Sequence, residues 1–257
     1  MSKVYIHMKR DPGIGLLIPH NLNFASAMYG FLEMGYEVIP YESVLDIYDK
    51  VTREDIVIDY IDQCESIFSR FGKKAILPNY PERLSKYLGR KVWTDTINAF
   101  SSDPEKWKSG WFIKPIRNKA FTGKVIHSLS DLIGCGNQHE DYEILVSEPI
   151  SIMGEWRGFI LNDRILDVRP YGSLTDYQKG YEGYKAHYSE KTIDQMMADF
   201  RLWKGRPVAC SMDICVTKDG RTLLLEMNDA YSLGSYGLPS ILYAKMLEAR
   251  WNQIMET

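Results

Sequence analysis

The segment from Val208 to Asn228, VACSMDICVTKDGRTLLLEMN, constrains this chain more than any other. Two runs of β-prone residues flank Asp219-Gly220, a dipeptide that tolerates the positive φ of a tight hairpin turn. A regular ladder from a turn at those two residues places Asp213 opposite Glu226 and Ser211 opposite Asn228. Side chains alternate along strands, so all four share one face. Directly opposed carboxylates repel by up to about 1 kcal/mol, and a cation is expected between them. Two carboxylates and an amide oxygen suit magnesium, which takes oxygen ligands and shares its remaining positions with water and phosphate. A solvent-facing hairpin with one carboxylate paired to a lysine or arginine satisfies the same pairing geometry. The two readings differ in outcome. Without a protein cation between the carboxylates, neutralising one leaves the metal-free fold at least as stable; with one, neutralisation strands the cation.

Composition narrows the setting. The 257 residues carry 34 acidic and 31 basic side chains, a formal charge of −3, with 45% hydrophobic residues. This is an ordinary globular balance, long enough for one large domain or two modest ones. It offers no basic footprint for general nucleic-acid binding. Cys64, Cys135, Cys210 and Cys215 form no C-x-x-C pair, so neither zinc nor a disulfide framework is indicated. The N-terminus has no apolar leader and no run is long enough to span a membrane, so a cytoplasmic protein is expected. There is no repeat and no low-complexity tract.

Residues 1–92 read as a small α/β lobe: a strand at Lys3–His7, a helix capped by Asn23 and ending at Gly35, and strands at Tyr36–Pro40 and Ile56–Ile58. A further helix is expected over Glu82–Leu88. Gly13 and Gly15 lack the third glycine of a dinucleotide loop and are better explained as turn formers. Residues 93–257 change character, with strands at Trp111–Pro115, Lys124–His127, Tyr142–Ser147, Trp156–Leu161, Arg164–Arg169, Val208–Val216 and Thr222–Asn228. Helices are expected at Thr192–Trp203 and Ser240–Ile254. Strands joined mostly by hairpins make this region α+β and unlike a doubly wound parallel sheet.

The pattern D-x12-E-x-N at Asp213, Glu226 and Asn228 resembles the metal-binding end of the ATP-grasp superfamily. The upstream motifs follow in matching order: Ile113-Lys114-Pro115 with Arg117 and Lys119, then Val146-Ser147-Glu148-Pro149, Glu155-Trp156-Arg157-Gly158-Phe159 and Val168-Arg169-Pro170. Together they resemble a divergent clade named for one arginine and two lysines, which includes the eukaryotic assembly factor for translation initiation factor 2 and bacterial and phage relatives. The resemblance covers roughly residues 93–257. It implies an ATP-grasp fold preceded by a pre-ATP-grasp lobe. It also implies that Lys114, Arg117 and Lys119 hold nucleotide phosphates under a closing loop, and that Ser147, Glu148 and Ile150 form the adenine and ribose hinge. Asp213, Glu226 and Asn228 would hold magnesium, with Asp213 and Glu226 thereby lining the nucleotide site, while Arg157, Lys114 and Arg169 serve the transferring phosphoryl group. The long glycine-rich loop of many relatives is reduced here to Thr122-Gly123.

What the resemblance implies is an ATP- and magnesium-dependent ligase joining a carboxylate to an amine through an acyl phosphate, releasing ADP. No protein nucleophile is needed, so the lack of a Ser-His-Asp or Cys-His arrangement presents no difficulty. The histidines His7, His20, His127, His139 and His187 are scattered and read as structural or exposed. The acceptor is expected near Asp229–Gly237. The tyrosines between Tyr171 and Tyr188, with Lys179 and Lys185, would suit an exposed peptide or protein end as substrate or serve as loop packing. An ATP-binding assembly chaperone and a kinase on the same scaffold remain alternatives.

Overall fold

The computed structural model describes residues 2–116, 120–136, 140–171 and 186–257. β1 (Lys3–Arg10) is the hub of the first sheet. Its first part runs parallel to β3 (Glu37–Tyr41) and β4 (Ile56–Ile58), and its end folds back antiparallel onto β2 (Leu17–Pro19). Val4, Ile6 and the whole of β4 are buried, as expected of parallel strands covered on both faces. Gly13 and Gly15 lie in the turn between β1 and β2, where the Asp11 carboxylate accepts from the N–H groups of Gly13 and Ile14 at 2.8 and 3.1 Å.

Helix α1 (Leu22–Glu33) is capped by Asn21, whose side chain accepts from Phe24 N at 3.0 Å, and not by Asn23. The helix begins earlier than its apolar spacing suggested, which leaves Asn23 within the first turn. Its side chain is turned to another use, accepting from the backbone and hydroxyl of Ser235 at 3.0 and 3.1 Å. Between β3 and β4 lies the short α2 (Val44–Ile47), and α3 (Ile61–Arg70) follows β4. The helix expected at Glu82–Leu88 is present as a short 3₁₀ helix over Glu82–Tyr87. Pro81 and Gly89, with φ +59°, confine it to a length at which an α-helix does not propagate.

A second sheet, in the order β5-β8-β6-β7, contains β5 (Val92–Thr96), β6 (Trp111–Pro115), β7 (Lys124–Ile126) and β8 (Glu143–Ser147), all antiparallel. The short helices α4 (Ile97–Ser101) and α5 (Pro104–Lys108) pack Phe100 and Trp107 against it. The third sheet, β10-β9-β11-β12, comprises β9 (Ile152–Leu161), β10 (Arg164–Pro170), β11 (Ala209–Thr217) and β12 (Thr222–Asp229). Helix α6 (Glu190–Arg201) buries Ile193, Met196, Met197 and Phe200 in a core with Trp156, Ile214 and Leu224. The C-terminal helix α7 (Ser240–Glu256) shares a core with the first sheet, and α1 meets it at Gly30. A Cβ there would sit 2.1 Å from the Ser240 carbonyl oxygen.

The decisive hairpin carries two irregularities that cancel. Its turn spans Lys218-Asp219-Gly220, with Thr217 N donating to Arg221 O and Gly220 N donating to Thr217 O, the three-residue loop that needs a left-handed residue at its end. Gly220 supplies it, with φ +81°. This turn alone would shift the ladder by one residue. A bulge at Leu225 restores the register, so that Asp213 faces Glu226 and Ser211 faces Asn228 as expected. Arg90 donates to the carbonyls of Leu224 and Leu225 at 2.9 and 3.0 Å, satisfying backbone acceptors at the bulge.

Candidate active site

A row of charges crosses the third sheet. The ladder places Arg169 opposite Arg157, Arg157 opposite Asp213, and Asp213 opposite Glu226. Arg157 donates through Nε and Nη2 to the two Asp213 oxygens at 2.8 and 2.7 Å, a bidentate fork between buried side chains. Asn228 adds a donation from Nδ2 to Asp213 Oδ2 at 2.8 Å. Lys114 reaches across from β6 to pair with Glu226, and its ammonium lies 5.3 Å from the centre of the Tyr80 ring. The rings of Tyr171 and Tyr236 lie 5.0 and 4.8 Å from the Arg157 guanidinium carbon and stack on one another at 4.8 Å. Arg169 pairs with Asp167 at 2.6 Å.

Burial works against the charge on Arg157, and the Asp213 carboxylate outweighs it, so the guanidinium stays protonated above its ordinary range. For Lys114 and Glu226 burial again opposes both charges, and each partner overcomes it for the other: the lysine is raised and the carboxylate lowered. Glu155 differs. It precedes Arg157 by two residues on the same face. Burial, then the Asp213 and Glu226 carboxylates, push it up to about 7 against the pull of Arg157. The motif that begins with Glu155 gave that residue no role of its own. Only the register reveals that it shares a buried surface with two other carboxylates.

The carboxylate face is therefore bridged by protein cations, and the expectation that neutralising Asp213 leaves the metal-free fold at least as stable does not hold. Asp213→Asn would strand the buried Arg157. The donor chemistry nonetheless fits a hard cation. Asp213, Glu226 and Asn228 offer oxygen atoms on one face. The Ser211 hydroxyl beside them is fully buried and has no hydrogen-bond partner among the described residues. Among the described residues no cluster of three or more His, Cys, Asp or Glu side chains is poised for a metal, so the set depends on the asparagine amide.

Ser147 ends β8, buried, with its hydroxyl donating to Glu148 O at 3.2 Å. Glu148 is exposed. Its N–H donates to Lys91 O at 3.1 Å and its carboxylate accepts from Lys91 N at 2.8 Å, which ties the end of β8 to the strand beside it. Ile150 is half-buried just before β9. Arg117 and Lys119 lie outside the described residues, as do Tyr177, Tyr181, Tyr184, Lys179, Lys185 and His139. Among the described residues no helix is long and apolar enough to cross a membrane.

The order of these elements and their charges define a family. The model of the ATP-grasp domain for family 2 of the clade named for one arginine and two lysines matches residues 87–246, more than half of the chain. The chain belongs to this family of the ATP-grasp superfamily, and its architecture is the α+β ATP-grasp fold. No curated protein sequence matches it. D-alanine–D-alanine ligase from Bacillus anthracis has a TM-score of 0.57 at 12% identity, over 99% of this chain and 98% of that one. N5-carboxyaminoimidazole ribonucleotide synthetase from Thermotoga maritima has a TM-score of 0.55 at 14% identity, over 98% of this chain and 76% of that one. The macrocyclase MdnC from Microcystis aeruginosa, bound with its precursor peptide MdnA, has a TM-score of 0.50 at 14% identity, over 96% and 99%. Likeness this distant speaks for the shared fold.

Proposed function

We propose that this chain is an ATP- and magnesium-dependent carboxylate–amine ligase that works in the cytoplasm. The γ-phosphoryl group moves to a carboxylate, giving an acyl phosphate and ADP. An amine then attacks the acyl carbon and phosphate leaves. The observation that carries this reading is the charged row itself: Arg157, Asp213 and Glu226 aligned across one sheet, with Lys114 arriving from a second sheet. In an ATP-grasp chain this array meets nucleotide phosphates. Lys114 exchanges Glu226 for phosphate oxygens, while Arg157, held by Asp213, offsets charge at the transferring group and Arg169 supports it. Arg117 and Lys119 add phosphate contacts from the following loop, and Ser147, Glu148 and Ile150 receive adenine and ribose. Magnesium, held by Asp213, Glu226 and Asn228, supplies neutralisation of phosphate charge. Residues 93–257 carry the nucleotide and residues 1–92 form the lobe that faces the acceptor. The four cysteines are unpaired and buried, as suits a reducing compartment.

A peptide or protein end is the acceptor class to try first, since the macrocyclase of the same fold is bound with a precursor peptide. The test is product analysis. Purified protein is incubated with ATP, magnesium and pools of peptides and host proteins, and products are followed by mass spectrometry. ADP and a new amide in equal amounts support the ligase. A stable phosphorylated product would make the protein a kinase, and tight ATP binding with no turnover on any pool would make it a binding protein.

A further inference from the structure

The middle of β1 and the carboxyl ends of β3 and β4 converge on a cluster that the nucleotide site leaves unused. Asp59, directly after β4 and 2% exposed, accepts from three sides. His7 Nδ1 lies at 2.7 Å, the Tyr41 hydroxyl at 2.6 Å and the Tyr60 N–H at 2.7 Å. His20 stacks on His7 with ring centres 4.6 Å apart, and its Nδ1 is 3.0 Å from the Tyr60 hydroxyl. Two histidines that look unrelated along the chain thus form one stacked pair, and a buried carboxylate orients one of them. Asp59 holds the proton on His7 Nδ1, which leaves Nε2 as the basic nitrogen.

Position gives the pair its use. Open α/β sheets take ligands at the carboxyl ends of their strands. The loop after β12 is tied to the same place, since the Ser232 hydroxyl donates to the Asp59 carbonyl at 2.8 Å. Ser232 stands four residues beyond Asn228, so its Cα lies within about 14 Å of the Asn228 Cα by the reach of an extended chain.

We infer that this cluster receives the acceptor amine and that His7, oriented by Asp59, takes its proton. The inference rests on the ligase reading. An arriving ammonium group gives one proton to His7 Nε2, and the imidazolium is stabilised by Asp59. The freed lone pair forms the C–N bond to the acyl carbon. The C–O bond to phosphate breaks with its electron pair on the phosphate, which takes the second proton from nitrogen, and His7 returns its proton to water. The titratable groups around the pair are Asp59, Tyr41, Tyr60, Cys64 and Lys9. Burial, then the neighbouring His7, lower the His20 pKa.

The test uses the full chain labelled with ¹³C at histidine Cε1, with His7 and His20 signals assigned through His7→Gln and His20→Gln. Glycinamide is titrated in the presence of ATP and magnesium, with N-acetylglycinamide as the blocked control. Glycinamide should shift both signals saturably and the blocked amide should not. In Asp59→Asn, whose side chain no longer fixes the His7 ring by a charged hydrogen bond, the saturable glycinamide shift of the His7 signal should be lost or much weakened. Should Asp59→Asn not fold, the wild-type titrations with the two probes decide alone. A His7 signal unmoved up to high millimolar glycinamide, or moved equally by the blocked probe, overturns the inference. So does an unchanged rate of amide formation in His7→Gln. The readout is binding beside a named imidazole, so a protein that binds glycinamide there yet forms no amide fails the ligase reading and not the amine site.

Discussion

Two ion pairs share one sheet face but are built differently. Arg157 and Asp213 are cross-strand neighbours within a single sheet, with side chains only 5% and 1% exposed. Lys114 and Glu226 come from two separate sheets, and at 17% and 27% they stay within reach of solvent. The first pair is set by the ladder and braced by Asn228 and two tyrosine rings, so neither partner can leave without a change in the sheet. The second depends on how two sheets approach each other, and in the proposed reaction its lysine leaves the carboxylate for a phosphate. One pair is framework and the other is an exchangeable contact, although both join a basic side chain to a carboxylate.

The largest effect should come from breaking the framework pair. Asp213→Asn leaves Arg157 buried with a neutral partner and should lower the stability of the nucleotide-free protein by about 3 to 5 kcal/mol. Chemical denaturation of wild type and mutant measures it, and a loss no greater than that of an exposed surface mutant would show the pair is not framework. Lys114→Ala should cost much less, about 1 kcal/mol. Its main consequence falls on ATP, whose affinity should drop roughly tenfold or more as a charge-assisted contact is removed. Calorimetric titration with ATP checks this, and a mutant that is strongly destabilised yet binds ATP normally would exchange the roles of the two pairs.

A smaller, pH-dependent effect comes from Glu155. Its folded pKa is raised to about 7, so the folded state holds a proton that the unfolded chain has already released. Stability from the protonated form is full below the ordinary glutamate range and is lost as pH rises towards 7. Glu155→Gln should remove that fall, and melting temperatures of the two proteins should converge in acid and separate above neutrality in favour of the mutant. Parallel curves across that range would mean that Glu155 keeps an ordinary pKa.

What was legible in the sequence tracks how local the determining physics is. The opposition of Asp213 and Glu226 followed from turn chemistry and strand alternation, yet the route differed. Gly220 sets a three-residue loop and the bulge at Leu225 compensates, and neither a longer loop nor a bulge announces itself in a run of leucines. Asn21 and Asn23 compete for one helix start, and the choice turns on a contact with Ser235 more than two hundred residues away. The pairing of Lys114 with Glu226 and the meeting of His7 with Asp59 depend on how sheets and strand ends are brought together in space. Periodicity carries no such information. The motifs singled out these carboxylates and cations, and the structure pairs them with one another.

The most direct test of an ATP-grasp site in which Lys114 trades Glu226 for nucleotide is thermal unfolding of wild type and Lys114→Ala with and without ATP and magnesium. Binding confined to the folded state adds RT ln(1 + [L]/Kd), about 2.7 kcal/mol at a hundredfold excess over Kd. Wild type should melt several degrees higher with ATP and magnesium, and Lys114→Ala should show a much smaller rise. A wild-type protein whose melting temperature does not move at millimolar ATP with magnesium would contradict the nucleotide site itself.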